Sequence, residues 1–274
     1  MKSIYRFLAG GLLSLAVYLP ATAQELFVYT EPASNMPAHS VGMRLNNWVM
    51  RETGGATNYH FLPEVMVGVN KNLMLHAEAF LSNRAEGGLD YEGLGFYGKY
   101  RFYTKDGDHR HFRMAAFGRW GMNNAPIHQD EIETNGHNSG YEMGLIGTQL
   151  LNRTAYSLTA SYERATDNAS GKEVIPPGAS RNAINTSLSV GQLFLPRIYK
   201  GYDQVNLNGM VEVLSQWQPG NGKYYVDLAP SVQAIFWSQT RLDIGYRFAL
   251  SQQMERTAPS GFLVRVEHLL FGVF

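Results

Sequence analysis

The sequence predicts an all-β fold, an antiparallel up-and-down transmembrane β-barrel of about 12 strands. Long stretches of the chain alternate apolar and polar side chains with a period of two, which is the period of a β-strand. No apolar run reaches the ~20 residues that a membrane-spanning helix needs. A barrel crosses a membrane at modest mean hydropathy, because only every second residue of each strand faces lipid.

The first residues have the three parts of a secretory signal peptide. Met1–Arg6 is basic, Phe7–Leu19 is apolar, and Ala21–Ala23 is a small-residue cleavage site of the A-x-A kind. A membrane anchor is the alternative, but the apolar run of about 13 residues is shorter than the ~20 that span a bilayer. We therefore expect export, with residues 1–23 removed after Ala23.

Composition excludes several classes of function. The chain has no cysteine, which excludes disulfides, thiolate metal sites and a lipoprotein anchor. It has 23 Lys and Arg residues against 23 Asp and Glu residues, so removal of the basic signal peptide leaves a slight negative charge. This balance does not indicate nucleic-acid binding. We expect no nucleic-acid partner and no cofactor.

Residues 24–40 precede the first alternating run. They contain two prolines, Pro32 and Pro37, after a short apolar patch. We interpret this stretch as an N-terminal tail or partial plug. It lies either in the periplasm or folded back into the barrel mouth, and the sequence leaves both positions open.

Residues 41–274 are predicted to form the transmembrane barrel domain. The alternating runs are 41–50, 59–70, 73–84, 92–104, 111–123, 140–152, 155–167, 183–195, 205–217, 224–237, 241–253 and 261–274. Their number is even, as expected for a bacterial single-chain barrel.

The links between these runs alternate in length along most of the chain. The short links are Lys71-Asn72, Lys105–Arg110, Arg153-Thr154 and Ser238–Thr240, and the long links are Arg51–Asn58, Asn124–Ser139 and Asp167–Asn182. The Asp-Gly pair in Lys105–Arg110 is expected to supply the positive φ of a tight hairpin. Pro196–Gln204 is the exception, a longer link on the short side. Short turns at one end and long loops at the other are typical of barrels that cross a membrane.

Charged side chains fall on the face opposite to the apolar one. Charge on the lipid face would cost ~2–4 kcal/mol per Arg or Lys at the bilayer midplane, so we expect these side chains in the lumen. The predicted lumen-lining residues are Arg44, Glu64, His76, Glu78, Lys99, Arg101, Arg113, Arg119, Glu163, Glu212, Asp227, Asp243, Arg247, Arg265 and Glu267. Glu142 has the same phase.

These charges are distributed unevenly over the predicted strands. Strands four and five carry basic residues, whereas strands two and three and strands nine to eleven carry acidic ones. A basic stripe facing acidic stripes would produce a transverse field, as in a constriction that orients polar solutes. The alternative is that paired charges fill a narrow lumen and satisfy one another.

The last run, Gly261–Phe274, has two distinct faces. One face is largely apolar, the other carries Arg265 and Glu267, and the run ends on Phe274. It resembles the last strand of bacterial outer-membrane β-barrels, although Gly272 stands where many members carry a second aromatic residue. The resemblance implies location in the outer membrane, contact with its lipids, and a terminal Phe274 that is part of the signal read by the barrel assembly machinery.

The mature chain as a whole resembles small outer-membrane barrels that are regarded as transporters. The blocks that carry this resemblance are Thr30–Ser40 (TEPASNMPAHS), Asn72–Arg84 (NLMLHAEAFLSNR), Lys99–Thr104 (KYRFYT) and His111–Arg119 (HFRMAAFGR). The resemblance implies a fold and a location, and it implies no particular substrate.

The long link at Ile127–Gly140 carries candidate residues outside the lumen. Its possible metal ligands are His128, Asp130, Glu131, Glu133 and His137, a set that suits zinc or a similar ion but matches no specific spacing. His137 and Ser139 also resemble the His-x-Ser-Asn motif of outer-membrane phospholipase A and lipid A deacylases, in which His is the base and Ser the nucleophile. Gly140 stands where those families place the Asn.

The leading hypothesis is a channel or transporter for a small polar solute, with lumenal charges that set its selectivity. The first alternative is an outer-membrane lipid hydrolase that uses His137 and Ser139. The second is a closed structural or metal-associated barrel. No nucleotide-binding, metalloprotease or serine-hydrolase motif occurs in a usable context. We therefore expect no enzyme and no metal site, and we interpret the scattered methionines as packing residues.

Overall fold

The structure is a computed structural model that describes residues 27–52, 55–83, 88–127, 129–198, 201 and 203–274. The predicted signal peptide, residues 1–23, lies outside the described residues. Within those ranges, no helix is long and apolar enough to cross a membrane.

Twelve strands form one closed antiparallel barrel, which confirms the predicted fold class. The strands are β1 (Ser40–Arg51), β2 (Thr57–Gly68), β3 (Leu73–Ser82), β4 (Asp90–Gly107), β5 (Arg110–Asn123), β6 (Ser139–Leu151), β7 (Thr154–Thr166), β8 (Asn182–Leu195), β9 (Asn206–Trp217), β10 (Tyr224–Phe236), β11 (Thr240–Gln252) and β12 (Ser260–Leu270). Each strand pairs with its neighbours in sequence, and β12 closes the ring on β1, from Val41 opposite Leu270 to Arg51 opposite Ser260.

The period-two alternation separates an inner and an outer face. In β12, Leu263 and Arg265 are at most 5% exposed, whereas Phe262 and Val264 between and beside them are 53% and 36% exposed. Exposed aromatic rings at or near strand ends are Phe102, Trp120, Tyr156, Trp217, Trp237 and Phe262. Amphipathic rings favour the level of lipid headgroups. The outer face therefore suits acyl chains bordered by headgroups.

The C-terminal end departs from the predicted strand. The sequence predicts a strand up to Phe274, but β12 ends at Leu270. Gly272 has a φ of 62°, a left-handed conformation that ends the extended ladder. The Val273 amide donates to the His39 carbonyl at 2.8 Å, and the rings of Phe274 and His39 meet edge-on at 5.3 Å.

The β4–β5 hairpin is tighter than the sequence predicts. Gly107 still belongs to β4 and pairs with Arg110, so the turn consists of Asp108 and His109. His109 has the positive φ, 57°. The prediction that the Asp-Gly pair supplies the positive φ is therefore wrong, because the ladder continues through Gly107 and moves the turn towards His109.

Two segments of the chain occupy the lumen. We call residues 27–38, which precede β1, the plug, and residues 129–138, in the link between β5 and β6, the outer segment. The inner end of the barrel is the end at which β1 begins and β12 finishes. The plug fills the inner and central lumen, and the outer segment fills the opposite end. The sequence leaves the position of the tail open, and the structure places it inside the barrel from Phe27 onwards.

Small apolar clusters anchor both segments. Phe27 and Val28 of the plug pack with wall residues that include Met210 and Leu263. Ile132 of the outer segment is 3% exposed and packs with the buried residues Ala165, Ile175 and Ala183. Among the described residues, the buried apolar side chains form small separate clusters, and many buried side chains are polar or charged.

Candidate functional site

Glu212 of β9 holds the first part of the plug. This fully buried carboxylate accepts hydrogen bonds from the backbone amides of Val28, Tyr29 and Thr30 at 2.9, 2.8 and 3.0 Å. The Thr30 hydroxyl adds a fourth bond at 2.6 Å. One wall carboxylate thus satisfies three consecutive backbone donors, as an anion does in a backbone nest.

Lys99 of β4 holds the next part of the plug. Its ammonium group donates to the Pro32 carbonyl at 2.7 Å and to the Ser34 carbonyl at 2.9 Å, and it lies 3.3 Å from the Glu31 carboxylate. The Arg44 guanidinium binds Glu31 at 2.9 Å. Burial works to raise the pKa of the Glu31 carboxyl, but Arg44 and Lys99 together hold that pKa well below its usual range.

Three further wall residues bind the plug. Arg265 of β12 donates to the carbonyls of Phe27 and Val28 at 2.9 and 3.0 Å. Thr148 of β6 accepts the Ala33 amide at 2.8 Å. Arg113 of β5 donates to the Ser34 hydroxyl at 2.8 Å. These residues come from strands around the ring, so the plug is bound from several sides.

Glu131 is the centre of a buried charge cluster in the outer segment. Arg256, in the link between β11 and β12, donates to Glu131 at 2.8 Å and to Asp227 at 2.8 Å. Arg247 of β11 binds Glu131 at 2.9 Å. Both guanidinium groups lie over the Tyr225 ring, at 4.1 and 5.1 Å from its centroid. Burial works to raise the pKa of Glu131, but Arg256 and Arg247 outweigh it and lower the pKa to about 2.

Neutral and acidic wall residues hold the rest of the outer segment. Gln216 of β9 brackets the Ile132 backbone, accepting its amide at 3.0 Å and donating to its carbonyl at 2.7 Å. Glu163 of β7 accepts the amide and hydroxyl of Thr134 at 2.6 and 2.9 Å. The two ends of the lumen are therefore closed by different sets of contacts.

The predicted lumen residues divide into four groups by what they contact. Those that bind the plug are Arg44, Lys99, Arg113, Glu212 and Arg265, and those that bind the outer segment are Arg119, Glu163 and Arg247. Glu64, His76, Glu78, Asp227, Asp243 and Glu267 form ion pairs with other side chains. Arg101 donates to the Lys71 carbonyl in the β2–β3 turn.

The predicted basic and acidic stripes meet as neighbours within the filled lumen. Arg119 of β5 lies 3.0 Å from Glu78 of β3 and 3.6 Å from Glu142 of β6. Lys99 meets the plug carboxylate Glu31. The charges of the wall are thus satisfied by each other and by the two segments.

Sequence reasoning did not assign Glu31, Glu131, Arg241 and Arg256 to the lumen. Glu31 and Glu131 lie in segments without strand periodicity, and Arg256 lies in a link. Arg241 is on β11 and pairs with Glu267. Its phase, two residues before Asp243, is the signal that could have placed it in the lumen.

A small cavity remains between the plug and the wall. Its volume is about 40 Å³, enough for a few water molecules. The lining includes Glu31, Met36, Arg44, Met66, Arg241 and Glu267.

The structure does not assemble a hydrolase site from His137 and Ser139. The Ser139 hydroxyl donates to the Asn123 carbonyl and accepts the Asn123 amide, both at 2.8 Å. The His137 ring stacks on His60 at 4.5 Å and lies 3.5 Å from the Glu133 carboxylate. The hydroxyl is therefore occupied by backbone groups, and the imidazole is directed to other partners.

The other candidate ligands of this link have cationic partners of their own. Asp130 binds Lys223 at 2.6 Å, and Glu131 binds Arg256. His128 lies outside the described residues. In the described part of the chain, no group of three His, Cys, Asp or Glu side chains is arranged to hold a metal ion.

Comparison with known proteins bears on the fold. No family model and no curated sequence matches the chain. The chain is similar to an outer-membrane channel from Pseudomonas putida F1, with 10% identity, a TM-score of 0.54 and coverage of 89% of this chain and 100% of that one. The NanC porin and the β domain of the Bordetella autotransporter BrkA each give a TM-score of 0.48 at 12% and 13% identity, covering 84% of this chain and 98% of theirs. The fold is that of a bacterial outer-membrane β-barrel.

Proposed function

We propose that the chain forms an outer-membrane channel for a small polar solute, closed at rest by the plug and opened when the plug moves. The observation that carries this proposal is the way in which the plug is held. Its backbone amides and carbonyls bind Glu212, Lys99 and Arg265 of the wall. These are contacts that water and a polar solute can replace.

The energetic argument compares polar and apolar contacts. A hydrogen bond exchanged for one with water contributes only about 0.5–1.5 kcal/mol net, or about 1.5–3 kcal/mol when one partner is charged. The apolar contacts of the plug are small and separate: Phe27 and Val28 pack in one cluster, Ala33 packs in another, and Met36 lies near Met66. Water can replace each of the polar contacts, and withdrawal of the plug exposes a lumen lined with charge.

The same reasoning supports the location and the lipid contacts. The outer face exposes large apolar side chains such as Val65, Leu75 and Leu158, which are 45–60% exposed. Such a surface suits acyl chains. We therefore place the barrel in the outer membrane after removal of residues 1–23, with Phe274 as part of the signal for the assembly machinery.

Single-channel recording in planar bilayers tests the proposal. We expect the native chain to be closed for most of the time, with brief openings. Glu212→Ala removes the acceptor of four hydrogen bonds from the plug and should raise the open probability at least about tenfold. Thr186→Ala, on the lipid-facing side of β8, is the matched control and should behave like the native chain.

A closed structural barrel is the second candidate, and the pairing of the lumenal charges with each other and with the two segments favours it. It predicts that the native chain and Glu212→Ala are both silent. Silence of both proteins, with correct folding shown by the heat-dependent gel mobility that intact barrels have, would reject the channel and leave the closed barrel.

A further inference from the structure

His76 of β3 is a buried imidazole with one nitrogen in use and one without a partner. Its side chain is 5% exposed, and Nδ1 pairs with the Glu64 carboxylate of β2. Among the residues that the structure describes, Nε2 has no hydrogen-bond partner. A histidine whose first nitrogen is fixed by a carboxylate, with the second nitrogen free, is oriented as metal-bound histidines are.

Two methionines lie beside this imidazole on the inner face. Met66 of β2 is the residue directly opposite His76 in the β2–β3 ladder, and Met74 precedes His76 by two residues on the same face of β3. Both are buried, at 2% and 3% exposure. Side chains directly opposite each other on one face have Cβ atoms about 4.5–5.5 Å apart. The thioether of Met66 is therefore within reach of the His76 ring.

The plug adds a third thioether. The Met36 methyl lies 3.5 Å from the point that a Cβ on Gly42 would occupy, and the Met66 methyl lies 2.6 Å from the same point. The Met36 Cγ is likewise 2.9 Å from a Cβ on Gly68. Two glycines of the wall thus make room for Met36, and its methyl group and that of Met66 both lie within 3.5 Å of the same point over Gly42.

All three methionines line the cavity of about 40 Å³ between the plug and the wall. The three carboxylates Glu31, Glu64 and Glu267 are matched by three cations, because Arg44 binds all of them, Lys99 binds Glu31 and Arg241 binds Glu267. Hard cations such as Mg²⁺ and Ca²⁺ need free oxygen ligands. Thioether and neutral imidazole ligands instead select soft ions, above all Cu(I).

We propose that His76, Met66 and Met74, joined by Met36 of the plug, form a binding site for a soft monovalent cation, with Cu(I) as the ion of matching chemistry. The ion takes the Nε2 lone pair of His76 and the thioether sulfurs, and Glu64 keeps the ring oriented. The bound ion links the plug to β2 and β3. On this proposal the three buried methionines are ligands as well as packing residues, whereas Met122 and Met143 lie exposed on the outer face.

Metal titration of the detergent-solubilised full chain tests the site. Ag(I), a redox-inert probe of the same ligand preference, is titrated by calorimetry, and Cu(I) is measured by anaerobic competition with a coloured chelator. We expect one ion per chain. Met66→Leu and Met74→Leu keep the volume and remove the sulfur, and each should weaken binding at least about tenfold, whereas Met122→Leu and Met143→Leu should leave it unchanged.

X-ray absorption of the Cu(I) complex should show sulfur and nitrogen neighbours, and Met36→Leu should lower the sulfur count. Absence of stoichiometric binding by the native chain overturns the proposal, as does equal affinity in Met66→Leu, Met74→Leu and the native chain. His76→Gln disturbs the contact with Glu64 and tests folding as well as binding, so the leucine variants decide the result. The titration does not depend on conductance, and its outcome is independent of the proposed channel.

Discussion

The plug and the outer segment both close the lumen, but the wall recognises different parts of them. The plug is bound mainly through its backbone, by Glu212, Lys99 and Arg265. In the outer segment, backbone contacts with Gln216 and Glu163 are joined by Glu131, whose carboxylate lies inside a cluster of two arginines and an aspartate. Each segment carries one carboxylate held by two cations, but the side chain of Glu131 is more deeply buried than that of Glu31, at 7% against 22% exposure.

This difference has a physical consequence. Backbone contacts are shared among many weak bonds, so the loss of any one of them leaves the others in place. In a buried ion cluster a single substitution costs much more free energy, because removal of one charge leaves the opposite charges unpaired in a medium of low dielectric constant. We therefore expect the outer segment to be sensitive to single substitutions and the plug to be sensitive to changes in the wall.

The largest expected effect is that of Glu131→Gln. It leaves Arg247 and Arg256 short of one negative charge, a loss of about 3–5 kcal/mol for a broken buried pair. The outer segment should then open more often. A cysteine at Ile132, which is buried at 3% exposure in a chain without native cysteine, reports this opening through its reaction with a membrane-impermeant maleimide.

We expect the labelling rate of that cysteine to rise on the order of a hundredfold with Gln at position 131. Ser34→Ala in the plug is the matched comparison, since it removes an uncharged acceptor, that of the Arg113 bond. An equal response of both segments to these two substitutions would contradict the distinction between them.

The next effect is a response to acid. The pKa of Glu131 is about 2 in the closed state, against an ordinary value near 4.5 once the segment is released. A carboxyl with a lowered pKa stabilises the closed state fully above its ordinary pKa, and that stabilisation is lost as pH falls through the folded value. The pKa of Glu31 in the plug is shifted in the same direction.

Open probability in planar bilayers should therefore rise as pH is lowered from about 5 towards about 2. Glu131→Gln and Glu31→Gln should each remove part of this response, because each variant lacks one titrating group. If the double variant kept the same dependence of open probability on pH, groups other than Glu31 and Glu131 would be responsible for it.

The smallest effect is expected for Asp167→Asn in the link between β7 and β8. The Ile175 amide and then Arg181 lower the pKa of Asp167, and the pair with Arg181 lies at 2.8 Å with both side chains more than a third exposed. Exposed pairs of this kind are screened by water and salt. We expect no measurable change in the heat-dependent gel mobility. A clear loss of the folded band would show that this exposed pair contributes substantially to the stability of the barrel.

The strands and their faces could be predicted from the sequence because their signal is local. In β12, Arg265 faces the lumen and its neighbours Val264 and Val266 face outwards, so three consecutive residues show which face is which. The pattern is clear because a charged side chain on the lipid face would be costly. Two local backbone conformations could not be predicted, because no pattern of side chains indicates them. The sequence does not reveal that Gly272 ends the ladder or that His109 takes the positive φ.

The occupied lumen could not be predicted in the same way. Val28 and Glu212 are separated by 184 positions, and Glu131 and Arg256 by 125. No periodicity links residues so far apart, and segments that carry no strand pattern have no face to assign. Likewise, Met36 joins Met66 only because the plug folds back over Gly42, so the cluster is visible only in three dimensions.

One measurement tests most directly whether the plug must move for the channel to open. Ala33 and Thr148, joined by a 2.8 Å hydrogen bond, are replaced by cysteines in this cysteine-free chain, and conductance is recorded before and after reduction. Thr186 and Ser215, joined at 2.6 Å on the lipid face, give a control pair away from the lumen. We predict no openings while the first pair is cross-linked, full recovery on reduction, and openings throughout in the control. If a chain whose plug is shown by mass spectrometry to be cross-linked opened as often as the native chain, the plug would not need to move for the channel to open.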